Sequence, residues 1–190
     1  EAVERLADMQ SQPRHVVTNA PIRVLDEAIS QIQTSEDESS AQEAQLHLLV
    51  RTPEQLDAAL EVKPSSITLD YLELYGLRPA VERIKEAGIT PRVASPRVLK
   101  PQEQRIVNFL LRLDCAIVVR SGGLLEALHG KHQHPLIGDF SLNVANQLSA
   151  DTFFELGVDR IAPTHDLNAD QICTLAREVG GQRFEVIAYH

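Results

Sequence analysis

Two corners of the chain carry residues suited to proton transfer. In Pro135-Leu136-Ile137-Gly138-Asp139 a short apolar run ends on a carboxylate, and Asn143 and Asn146 follow closely. In Arg160-Ile161-Ala162-Pro163-Thr164-His165-Asp166 a second apolar run ends on a histidine and another carboxylate, with Asn168 beyond. A carboxylate near an imidazole can take and return protons close to neutral pH. Asp139, His165 and Asp166 are therefore the acid–base candidates. Asp70, Arg51, Arg97 and Arg120 occupy similar corners. Arginines there could hold a polar substrate through their forked N–H donors. The competing explanation is structural, because loops are polar in any fold and Asp or Ser often caps the next helix. Asp151 reads as such a cap.

Other motifs are missing or local. There is no HExxH, no spaced Cys/His set, no GxxxxGK[ST], no GxGxxG and no GxSxG. That argues against metalloprotease, P-loop, dinucleotide and α/β-hydrolase chemistry. Only Thr164-His165 sets a hydroxyl beside a histidine at a strand end, which disfavours a nucleophilic protease. His129-Gly130-Lys131-His132-Gln133-His134 looks like a metal cluster. It precedes a strand, on the rim opposite the other candidates, and reads as a solvated loop; no metal is assigned. Gly122-Gly123 offers a helix start that could meet an anion.

The elements that position these corners repeat a strand–helix plan from about residue 46. Strands are expected at Leu46 to Val50, Ile67 to Leu69, Ile89 to Ala94, Cys115 to Val119, Leu136-Ile137, Arg160 to Ala162 and Phe184 to Ala188. Helices are expected between them, for example Arg78 to Ala87, Pro101 to Leu113 and Asp151 to Leu156. Thr52 can cap the first, with Pro53 at its first position. Connections this long join parallel strands. Repetition without a change of helix length favours an α/β barrel of the TIM type over a doubly wound sheet. A barrel of that type closes with about eight strands. About seven are visible here, so the barrel is incomplete. Such folds carry their ligands at the carboxyl ends of the strands.

Residues 1–45 form a separate N-terminal region, and 46–190 the barrel domain, truncated at its C-terminal end. Glu1 to Gln10 reads as a short amphipathic helix. His15 to Thr18 could be a strand, and Pro21 to Ile32 a strand or a helix. Thr34 to Ser40 is acidic and has nothing to bury, so it reads as a linker.

With 43% hydrophobic residues, no Trp, five Phe and three Tyr, the core must be aliphatic. Buried parallel strands are built that way. A net charge of −9 weighs against nucleic acid as a partner. Cys115 and Cys173 read as buried free thiols in a reducing, cytoplasmic setting. No stretch approaches the ~20 apolar residues of a membrane span. Unpaired strand edges would allow self-association into a homo-oligomer.

Gly138-Asp139-Phe140-Ser141-Leu142-Asn143-Val144-Ala145-Asn146 resembles a segment of the U32 family, the collagenase-like peptidases, in the second half of its long members. Three more stretches agree: Arg160 to Asn168, similar to the family's Pro-Ser-Tyr-Asp-Leu-Asn corner; Arg183-Phe184-Glu185-Val186; and Leu48 to Leu56. Thr164 and His165 depart from the family's Ser and Tyr. The resemblance covers about residues 46 to 190 and implies a TIM-like barrel in a cytoplasmic protein acting on peptide bonds. It adds Asn146, Asn168 and Glu185 to the strand-end residues Arg51, Asp70, Arg97, Arg120 and Asn143 as substrate-binding expectations. Other members take part in hydroxylating RNA bases or a quinone ring and carry an iron–sulfur cluster. Its cysteines lie in a segment that would follow His190, so no cofactor is expected within these residues. An RNA-modifying hydroxylase and a scaffold without catalysis are the alternatives to a peptidase.

Overall fold

The structure, a computed structural model, describes residues 2–11, 19–32 and 43–189. The strand expected at His15 to Thr18, the acidic stretch Thr34 to Ser40, and His190 lie outside them. The chain divides into two units, 1–33 and 34–190. The first holds α1 (Ala2–Ser11) and α2 (Pro21–Gln31), with no residue of either buried. Pro21 explains why the second segment is a helix. At a first helical position its missing N–H has no bond to lose, and Ile22, Leu25 and Ile29 recur at helical spacing.

The second unit alternates strand and helix. Its elements are β1 (His47–Val50), α3 (Pro53–Val62), β2 (Ser66–Leu69), α4 (Leu77–Glu86), β3 (Thr90–Ala94), α5 (Gln104–Leu110) and β4 (Ala116–Val119). Then come α6 (Gly122–Leu128), β5 (Leu136–Gly138), α7 (Gln147–Glu155), β6 (Arg160–Ile161) and α8 (Ala169–Val179). All six strands are parallel and pair in chain order from β1 to β6. A doubly wound sheet would reverse its order at a switch point. This one does not, and the unit is an incomplete α/β barrel of the TIM type.

The seventh strand is reduced to one parallel bridge between Phe184 and Ile161, with the Glu185 N–H donating to the Ile161 carbonyl at 3.0 Å. Val186 and Ile187 beyond it are exposed, so nothing fixes a longer pairing. Helix α7 starts earlier than Asp151. Its cap is Asn146, whose side chain accepts from the Ser149 N–H at 2.9 Å in a capping box, and Asp151 lies inside the helix.

Period-two alternation decides which side chains meet. Ile67, Leu69, Val93, Ile117 and Val119 are fully buried and face the helices, where they pack on residues such as Leu56, Leu77, Ile84 and Leu124. Burying each such side chain contributes about 1.5–3 kcal/mol. The opposite, inner face is smaller and more polar. Ala94, Ala116, Val118 and Ile137 form its apolar patch, and Ser66, Thr68 and Arg92 are buried on the same parity. Arg92 Nη1 donates to both carboxylate oxygens of Glu185, at 2.8 and 2.7 Å, and Arg160 stands 3.6 Å from the same carboxylate. This pair ties the segment after α8 to the barrel interior.

Candidate functional site

The same alternation carries the inner face past the carboxyl ends of the strands. Asp70 follows β2, Arg120 follows β4 and Asp139 follows β5, each one residue beyond its strand and on the inner parity. Arg120 joins them. Its Nη1 and Nη2 donate to Asp70 at 2.6 and 3.0 Å, and its Nε stands 3.7 Å from Asp139 Oδ2. The Arg120 side chain is only 7% exposed. Arg51 adds a 3.3 Å contact from its Nε to Asp70 Oδ2. Four of the expected rim residues thus form one constellation.

The two aspartates differ in how fully they are engaged. Burial pushes the Asp70 carboxyl up, but hydrogen bonds and charge from Arg120, then from Arg51, outweigh it and hold Asp70 below its ordinary value. Asp70 is a committed counter-ion. Asp139 is buried too, yet its contact with Arg120 is too long for a hydrogen bond, and Arg120 Nε has no hydrogen-bond partner. Ser141 supports Asp139 instead. Its hydroxyl lies 2.8 Å from Asp139 Oδ2 and 3.0 Å from the Arg120 carbonyl oxygen, and its N–H donates to the same carboxylate at 3.4 Å. Ser95, buried at the end of β3, accepts from the Arg120 N–H at 3.1 Å. Sequence reasoning missed Ser141 and Arg92. The signal for Arg92 was an arginine at an inward position of an aliphatic strand.

Arg97, Phe140 and His165 form a second group on this rim. The His165 and Phe140 rings stack at 4.0 Å with 17° between their planes, and the Arg97 guanidinium lies 5.0 Å over the Phe140 ring. The stack joins the corner after the sixth strand to the corner after the fifth. Asp166 is exposed and accepts from the Thr164 hydroxyl at 3.2 Å.

The amides occupy structural positions. Asn143 takes a left-handed turn at φ 57. Asn146 caps α7 and Asn168 caps α8, each within a reciprocal capping box. Glu185 is held by Arg92 and Arg160 in the barrel interior. Asn146→Ala and Asn168→Ala are expected to lower stability by about 1 kcal/mol each through the lost cap. Urea denaturation measures that, and substrate affinity should stay unchanged.

On the opposite rim, a cavity of about 380 Å³ is lined by His129, His132, His134, Leu156 and Asp159, among others. His134 Nε2 pairs with Asp114 at 2.8 Å, and His129 Nδ1 lies 3.2 Å from the Leu156 carbonyl oxygen. No group of three or more metal-binding side chains converges among the described residues. Burial holds half-buried His132 below 6.5, helped by the charge of His134 and opposed by a hydrogen bond to the Cys115 backbone. His47 is also held low, first by burial and then by Arg92 and Arg160, against the attraction of Glu185. Both therefore bind protons more readily in the unfolded chain. Their contribution to stability is complete above pH 6.5 and falls as pH drops below it. The urea midpoint should fall between about pH 7.5 and 5.5, and His132→Gln should flatten that fall.

Cys115 is buried, which pushes its thiol up to about 12, whereas Cys173 is exposed on α8 rather than buried as expected. No helix among the described residues is long and apolar enough to cross a membrane.

No family model matches the chain, and no curated protein sequence matches it. Solved structures do match. One, described as a U32 peptidase, aligns over 78% of this chain and 69% of its own length, with a TM-score of 0.58 and 18% identity. At that identity the likeness shows a shared fold.

Proposed function

We propose that the barrel unit belongs to a peptide-bond hydrolase of the U32 type, with its chemistry at the carboxyl-end rim around Asp139. The observation that carries this is the contrast between the aspartates. Asp70 is saturated by Arg120 and Arg51, while Asp139 keeps a long 3.7 Å contact and a Ser141 hydrogen bond. A base must be free enough to accept a proton. Asp139 takes it from the water whose oxygen adds to the scissile carbonyl carbon. The negative charge that develops on the carbonyl oxygen meets the rim arginines. As the C–N bond breaks, the proton returns to the leaving nitrogen, directly or through His165. Asp166, bonded by Thr164, lies beside that histidine in sequence.

The hydroxylase alternative draws on the same arginines, but the −9 chain charge and the rim carboxylates Asp70, Asp139 and Asp166 weigh against a polyanionic substrate. Incubating the full-length protein with a collagen-derived peptide tests the reading. New amino termini are expected, and their absence contradicts it.

A further inference from the structure

We infer that the rim recognises a substrate carboxylate, the free C-terminus of a short peptide, through Arg51 and Arg97. The inference deepens the reading above and rests on it for the location of the site. Three observations support it.

The first is uncommitted donor capacity. Arg51 is 54% exposed and spends only its Nε, at 3.3 Å, on Asp70. Among the described residues its two Nη groups meet no acceptor. Arg97 is exposed, and its guanidinium rests on the Phe140 ring with no hydrogen-bond acceptor among the described residues. An arginine fork suits a planar carboxylate, because two parallel N–H donors match its two oxygens.

The second is placement. Arg51 follows β1 and Arg97 lies just beyond β3, two strands apart. Neighbouring strands are roughly 4.8 Å apart, so the ends of β1 and β3 stand about 10 Å from each other, with Arg97 three residues past the end of β3. Arg97 now rests on Phe140, beyond β5, and closes on a group shared with Arg51 by swinging its long side chain off that ring. That group would lie in front of Asp70, and the rest of the peptide would run toward Asp139 and His165.

The third is charge. Phosphodiesters would suit the same forks, but an extended polyanion would also run past Asp139 and Asp166 on a chain of net charge −9. A single carboxylate engages the two arginines without carrying charge along the acidic part of the rim.

The test is titration of the full-length protein with tetra-alanine and with its C-terminal amide, followed by calorimetry. The free acid should bind at least about tenfold more tightly than the amide, as charge-assisted hydrogen bonds require. Arg51→Gln and Arg97→Gln should erase that preference while leaving the thermal midpoint within a few degrees, since neither guanidinium is buried. Equal binding of acid and amide overturns the inference, as does no binding of either. Displacement of the peptide by an oligoribonucleotide also overturns it and favours a nucleic-acid substrate. Acid-selective binding without cleavage leaves the inference standing and removes the peptidase reading. Cleavage with no preference for the acid does the reverse.

Discussion

Asp70→Ala is expected to destabilise the protein by about 3 kcal/mol, toward the lower end of the range for breaking a buried ion pair. Arg120 is the reason. Its side chain is 7% exposed, and Asp70 accepts from both of its Nη groups. Removing the carboxylate leaves a largely buried guanidinium without its main partner, and such a stranded charge costs far more than the pair contributed. Asp139 limits the loss, because it stands 3.7 Å from Nε and can move closer. Replacing the pair together, as Asp70→Leu with Arg120→Met, should restore much of the stability, because no charge is then stranded. Urea unfolding at neutral pH measures both. A loss under about 1 kcal/mol for Asp70→Ala would mean that the ion pair is not buried in solution.

Asp70 also sets an acid limit. Its carboxyl is held below 3.8 in the folded state, so its contribution is present above that pH and is lost as the pH falls through the lowered value. The histidine-driven decline begins higher, near pH 6.5. Acid unfolding should therefore proceed in two separate ranges.

Much of this arrangement was legible in the sequence. Aliphatic runs bounded by Pro53, Gly88 and Gly157 marked parallel strands and their helices. The barrel followed from repetition, and the rim followed from the rule that such folds bind at carboxyl ends. Asp70, Arg120 and Asp139 were visible as strand-end residues because each directly follows a short aliphatic run. What stayed hidden depends on partners distant in the chain. Nothing near Glu185 announces Arg92, which lies on β3, and nothing near Phe140 announces the stack with His165. The amides can be read in two ways. Asn146 and Asn168 are polar, sit at strand-to-helix corners and look like substrate ligands, yet the same chemistry makes them good helix caps. The seventh strand failed because an apolar run alone does not pair; Val186 and Ile187 have no buried surface to join.

Asp139→Asn is the second large effect, and it falls on activity rather than stability. Asparagine keeps the shape and can still accept from Ser141, but it cannot take a proton from water. The neighbouring Arg120 keeps both of its short bonds to Asp70, so no charge is stranded. General-base catalysis is commonly worth about 10²- to 10⁴-fold in rate, which is the loss expected here. His165→Ala should cost less, because the proton can return directly from Asp139, and it should also loosen Phe140 by removing its stacking partner.

The role of Asp139 as the base is tested most directly by the turnover of a collagen-derived peptide by the Asp139→Asn protein, measured against the unaltered protein at equal folded concentration. Turnover at least about a hundredfold lower is expected, with the urea midpoint unchanged. Equal turnover by the two proteins would contradict it.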